Sequence, residues 1–148
     1  MGIILCICVF QTGFSQEVSK TPTIMRPDRY DKWGDIPFAE ETTHLDKIAK
    51  QLNEWKLSVV HLVIYAGQKA CKGEAKARGI RATDYLLKAQ IEPERIDWID
   101  GGWKKELAVE VWIWPPELGK PSVATEGKLK PSQVTIERNC KIKHRGGA

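Results

Sequence analysis

The side chains best placed to do chemistry in this sequence are basic, and they crowd around one turn. In the stretch YAGQKACKGEAKARGIRATDYLL, residues 65–87, Lys69, Lys72, Lys76, Arg78 and Arg81 surround the point where an apolar run gives way to a helical rhythm. A helix beginning at Glu74 would aim free backbone N–H groups and the positive end of its dipole into that turn. Such a place suits a carboxylate or a phosphate, and Lys69, Lys72, Arg78 and Arg81 are the candidate anion-binding residues. The structural alternative is a solvated helix end, with Arg78 taken up by Glu74 four residues earlier.

Other chemistries lack their residue sets. His44, His61 and His144 are far apart and match no metal spacing. Neither a G-x-S-x-G elbow nor a G-x-x-x-x-G-K-[ST] phosphate loop occurs. Asp97 with Asp100 lies beside a turn and reads as solvation of a strand edge rather than an acid/base couple. Cys71 with only a remote histidine is too little for a thiol enzyme. The expectation is a protein that binds and does not catalyse, and that needs no cofactor.

The first residues set the compartment. Residues 3–10 are a continuous apolar block, and Gly13 and Ser15 stand three and one positions before a cut ahead of Gln16. This predicts a signal peptide over residues 1–15, with a buried first strand as the alternative. Its removal takes Cys6 and Cys8 and leaves Cys71 and Cys140. In an oxidising compartment these two either pair and close a long loop, or stay as unrelated thiols. The expected location is the periplasm or outer cell envelope, with no apolar run long enough to span a bilayer in the mature chain. Residues 16–114 carry equal numbers of basic and acidic side chains, so the formal +4 comes entirely from residues 115–148. A neutral body with a basic tail does not fit a nucleic-acid binder, which would carry its basic face on the domain.

These residues need elements to hold them. Residues 16–33 read as a linker and residues 34–38 as a short extended piece. Leu45, Ile48, Ala49, Leu52 and Trp55 form one apolar stripe of a helix over residues 40–55. Residues 57–66 are almost unbroken in hydrophobicity, as in a central strand covered on both faces. A second helix, residues 74–89, gathers Ala75, Gly79, Ala82 and Leu86 on one face. Glycine there costs about 1 kcal/mol against alanine, which close approach of the helix to a sheet would offset. Strands over residues 95–99 and 106–114 follow, with Asp100-Gly101-Gly102 as the turn between them. Trp98, Trp112 and Trp114 then fall on one sheet face beneath the C-terminal segment. The order β-α-β-α-β-β gives an α+β, two-layer sandwich with helices on one face of a mixed sheet. Residues 115–148 form a basic extension whose strand-like run, residues 133–142, adds an edge strand or remains mobile.

With that order in hand, residues 34–114 resemble the OmpA-like C-terminal domain, the peptidoglycan-associated module. That family runs strand, helix, a strand ending in G-H-T-D-x-x-G, a helix entered through a segment closing in R-A, then a strand. Here Gly67 and Gly73 keep the glycine spacing, and RATDYLLKAQIEPERI, residues 81–96, is similar to the family's R-A-x-x-V-x-x-Y-L-x-x-x-G-I-x-x-x-R-I. The resemblance implies an envelope binding module that holds the diaminopimelate of peptidoglycan between an aspartate and an arginine. The arginine corresponds to Arg81, whereas Ala70 stands at the aspartate and Gln68 and Lys69 replace the histidine and threonine. A charged hydrogen bond is worth about 1.5–3 kcal/mol, and alanine supplies none of it. The expectation is therefore a non-catalytic envelope module, with peptidoglycan recognition through Arg81 in an altered pocket, or service as an accessory subunit of an envelope complex, as alternatives.

Overall fold

The computed structural model describes residues 28–138. The leader expected over residues 1–15, with Cys6, Cys8, Cys140 and His144, lies outside the described residues. Within them the chain runs β1 (Asp31–Trp33), α1 (Phe38–Glu54), β2 (Val59–Ala66), β3 (Lys69–Cys71), α2 (Glu74–Lys88), β4 (Ile96–Lys104), β5 (Ala108–Trp114), β6 (Lys128–Leu129) and β7 (Thr135–Glu137). The fold class is α+β, as the sequence predicts. The order is longer than expected, with β3 inserted before α2 and two short strands added after β5.

β2 is central because both of its faces are apolar. It pairs in parallel with β4 and antiparallel with β5, and the five-stranded sheet has the order β1-β5-β2-β4-β6. Its even positions Val60, Leu62 and Ile64 join Val109, Val111 and Ile113 of β5 beneath the helices. Leu45, Ile48 and Leu52 of α1 and Ala82 and Leu86 of α2 close this core from above. Each of the larger aliphatic side chains contributes about 1.5–3 kcal/mol by leaving water. α2 lies close because Gly79 has no side chain: a Cβ there would sit 2.4 Å from Trp98 Cδ2. Trp98 therefore faces the helices, on the opposite side from the place expected for it with Trp112 and Trp114.

The odd positions Val63 and Tyr65 form a second, smaller cluster with Ala108 on the other sheet face. The C-terminal segment covers it, with Val123 and Ala124 packed on top. Lys120 Nζ holds Asp97 at 3.1 Å, and Trp114 Nε1 donates to the Gly119 carbonyl at 2.8 Å. The tail thus forms a partial third layer, on the sheet face opposite the helices. It supplies the edge strand β6 beside Trp103 and Lys104, while β7 leaves the main sheet and pairs in parallel with β3.

Two boundaries differ from the sequence reading for a tertiary reason. The extended piece expected at residues 34–38 lies earlier, at Asp31–Trp33, because pairing with β5 buries Trp33 in the core. Asp100-Gly101-Gly102 is not the turn. β4 runs through it to Lys104 with a break in register, Ile64 opposite Asp100 and Tyr65 opposite Gly102. Gly101 is the odd residue of that bulge, and a Cβ on it would lie 2.6 Å from the Tyr65 ring. The chain reverses instead through Lys105, Glu106 and Leu107, and the two strands form no hairpin, because β4 and β5 lie on either side of β2.

Cys71 is disulfide-bonded, and Cys140, the partner considered for it, lies outside the described residues.

Candidate functional site

Three reversals of the chain meet at one end of the sheet: Gly34 and Asp35 between β1 and α1, Gly67 and Gln68 after β2, and Lys105, Glu106 and Leu107, which carry the chain from β4 past the end of β2 to β5. They pack backbone to backbone. A Cβ on Gly67 would touch the Leu107 nitrogen at 3.4 Å, and one on Gly34 the Leu107 carbonyl at 3.5 Å. The Gln68 N–H donates to the Lys105 carbonyl, and the Gln68 carbonyl accepts from Thr135 at the start of β7. Between these turns and the first residue of α2 opens a cleft of about 610 Å³, whose polar lining comes from Asp35, Gln68, Lys69, Glu74, Lys105 and Glu106.

The four candidate anion-binding residues do not share this space. Lys69 lines the cleft. Lys72 lines a different hollow of about 230 Å³ on the far side of β3, with Lys76, Asp100, Trp103 and Ile136. Arg78 is 1% exposed and lies behind the cleft wall. Its Nη2 donates to Asp35 Oδ1 at 2.5 Å and to Glu74 Oε1 at 3.2 Å, and its Nε also reaches Glu74. The second Glu74 oxygen accepts from the Cys71 N–H. Arg81 is held by Glu41, which is 1% exposed, and its guanidinium lies over the Phe38 ring at 4.8 Å. Both arginines point from α2 toward α1 and its preceding turn, where those carboxylates sit. Glu74 with Arg78 was readable as an i, i+4 pair. Asp35 and Glu41 carried no such signal, because the contacts join residues far apart in the chain.

Ala70, which the resemblance to the OmpA-like domain would set at that family's aspartate, is buried in β3 opposite Ile136 of β7. A ligand ammonium thus finds no carboxylate on this residue. Of the acidic groups that line the cleft, Asp35 and Glu74 are engaged by Arg78, and Glu106 is the third.

The histidines are packed against aromatic rings and carboxylates. His44 stacks on Trp33 with centroids 4.7 Å apart and bonds Asp31 at 2.7 Å. His61 Nδ1 meets Asp97 Oδ2 at 3.0 Å beside Trp114. Among the described residues no group of three or more His, Cys, Asp or Glu side chains is arranged to hold a metal ion. No described helix is long and apolar enough to cross a membrane.

On the second sheet face Tyr65, Glu110 and Lys104 form a polar cluster. The Tyr65 hydroxyl accepts from the Ala124 N–H at 3.0 Å and donates to Glu110 at 3.5 Å, while Lys104 Nζ lies 3.8 Å from the ring centroid and 3.2 Å from Glu110. Burial raises the Tyr65 pKa above the usual phenol value. The Ala124 bond opposes that shift and the Glu110 charge adds to it. A raised folded-state pKa means stability is intact below the unfolded phenol value, near pH 10, and is lost as pH rises through the folded value. Thermal unfolding followed from about pH 8 to about pH 11 should show this alkaline loss, with a smaller slope in Tyr65→Phe. Tyr30 and Tyr85 are raised as well, so a residual slope should remain. An unchanged slope in the variant would show that Tyr65 ionisation is not felt by the fold.

Comparison of the chain with protein-family models, with curated proteins and with solved structures found no match.

Proposed function

We propose that this chain is an exported, non-catalytic binding module of the bacterial cell envelope, related in architecture to the OmpA-like domain. Its ligand occupies the cleft formed by Asp35, Gln68, Lys69, Glu74 and Lys105. The observation that supports this reading is the convergence of three turns and the start of α2 on one open cleft lined by both signs of charge. Loops gathered on a rigid sheet are where binding residues concentrate. The sequence of residues 1–15 supports the exported compartment.

The full chain expressed in a Gram-negative host should appear in the periplasmic extract with Gln16 as its first residue. Recovery from the cytosol with Met1 intact would remove the envelope assignment. Co-sedimentation with insoluble peptidoglycan at low salt separates the ligand classes. Because Ala70 offers no carboxylate and Arg81 is occupied by Glu41, little retention is expected. Retention that disappears in Arg81→Ala, with the fold intact by circular dichroism, would restore peptidoglycan recognition through that arginine.

A second reading, an accessory subunit of an envelope complex, is favoured by one observation. Trp55 is 49% exposed, Leu57 84% and Leu118 44%, and their segments flank the end of the sheet where Val59 pairs with Trp114. Apolar side chains exposed together are a common mark of a protein contact. Native mass measured from envelope extracts tests it, since a free monomer would count against the subunit reading.

A further inference from the structure

The cleft has a neighbour. On the other side of Gly34 lies a second open cleft of about 560 Å³, lined by Lys32, Trp33, Lys104, Ala108 and Gly127. The two share Gly34, Lys105, Glu106 and Leu107, which form the rim between them. That rim carries no side chain at Gly34, and its φ is not in the positive range that only glycine tolerates easily. Glycine at this point keeps the passage from one cleft to the other low.

The charges left over after internal pairing are mostly positive. Asp35 and Glu74 are held by Arg78, and Lys104 by Glu110. Lys32, Lys69 and Lys105 are exposed and have no ion pair among the described residues, with Glu106 the one opposing carboxylate on the rim. Two buried donors nearby also lack acceptors among the described residues. One is Trp33 Nε1, on a residue that lines the second cleft, and the other is Arg78 Nη1, behind the wall of the first. Both atoms are sealed from solvent, so neither is offered to a ligand in the clefts. Exposed lysines spaced along a passage suit a chain that presents carboxylates in sequence.

We propose that the two adjoining clefts bind one extended acidic peptide segment of a partner protein, which crosses the rim at Gly34. Its carboxylates meet Lys32 on one side, Lys105 at the rim and Lys69 on the other. This rests on the reading of the first cleft as a binding site and names the class of partner it takes. Extended backbone covers about 3.3 Å per residue, so a segment of roughly ten residues spans both clefts with ends to spare.

Fluorescence anisotropy with the full chain tests it, using a fluorescein-labelled peptide of alternating Glu and Thr, roughly ten residues long. The comparison probes are the same peptide with Gln for Glu, and inorganic polyphosphate. Lys105→Glu and Gly34→Phe should each raise the Kd of the Glu peptide about tenfold or more, the first by charge and the second by blocking the rim. Lys76→Glu, in the separate hollow, should leave it unchanged. Circular dichroism of each variant confirms the fold, and Lys32→Glu replaces Gly34→Phe if the latter does not fold. The proposal is overturned by equal binding of the Gln peptide, by no saturable binding, or by an unchanged Kd in the rim variants. Polyphosphate binding tighter than the Glu peptide and lost in the same variants would overturn it too, in favour of an anionic polymer. Retention on peptidoglycan without peptide binding would sink this inference and leave the cleft's binding role standing. Failure of every probe would remove both.

Discussion

Replacing Glu41 with alanine should lower the free energy of unfolding by about 3 kcal/mol, from the lower end of the range for removing one partner of a buried pair. Glu41 stands in the first turn of α1 at 1% exposure, and its carboxylate neutralises Arg81 of α2. Without it a guanidinium whose side chain is only 15% exposed loses the buried carboxylate that balances its charge. The low end applies because that partial exposure lets water reach part of the charge. Equilibrium urea unfolding reads the effect as a lower midpoint at unchanged slope. Glu41→Gln should cost less, since an amide oxygen still accepts from Arg81. Replacing the pair together, Glu41→Leu with Arg81→Met, should recover most of the loss, because no buried charge is then stranded. A single alanine variant as stable as the parent would mean that the pair does no work in joining the two helices.

Gly79→Val should cost about 3 kcal/mol by overpacking, the upper part of the usual range for added bulk in a filled core. A Cβ at this position meets Trp98 atoms at 2.4, 2.7 and 2.8 Å, closer than real contacts allow. Trp98 is held in β4 under the helix, so relief requires α2 to lift from the sheet or the indole to leave its place. Even alanine, which gains about 1 kcal/mol in helix propensity over glycine, should end less stable than the parent. Trp98→Ala in the Gly79→Val background should restore part of the stability while costing stability in the parent. If valine is tolerated with unchanged near-ultraviolet circular dichroism, the close approach of α2 to β4 is not what holds the layers together.

The features legible in the sequence were those written in local pattern. The α1 stripe of Leu45, Ile48 and Leu52, the two-faced apolarity of β2 and the small-residue face around Gly79 each follow from period and residue type. They sufficed for the α+β class and for both helices on one face. What escaped depended on residues far apart in the chain. Asp100-Gly101-Gly102 has turn chemistry, yet Tyr65 on the neighbouring strand uses the missing side chain of Gly101 to fit its ring. β1 starts earlier than its sequence suggests because β5 supplies its pairing partner. The candidate site failed in the same way. The cationic residues were visible, but Asp35 and Glu41 take Arg78 and Arg81 out of the solvent-facing set. Lys32 and Lys105 join Lys69 only after the β4–β5 connection and β1 are folded beside the turn.

The cover over the second sheet face comes from residues 119–124, and the β3–β7 pairing waits for residues 135–137. Biosynthesis releases a chain from its N-terminal end, so the helices and β2 through β5 emerge before that cover exists. In the interval Val63, Tyr65 and Ala108 face solvent on a half-clad sheet that still lacks its edge strand β6. A protease or an aggregating neighbour thus has its best opportunity on nascent molecules, and a premature stop codon anywhere between β5 and Ala124 would make that interval permanent.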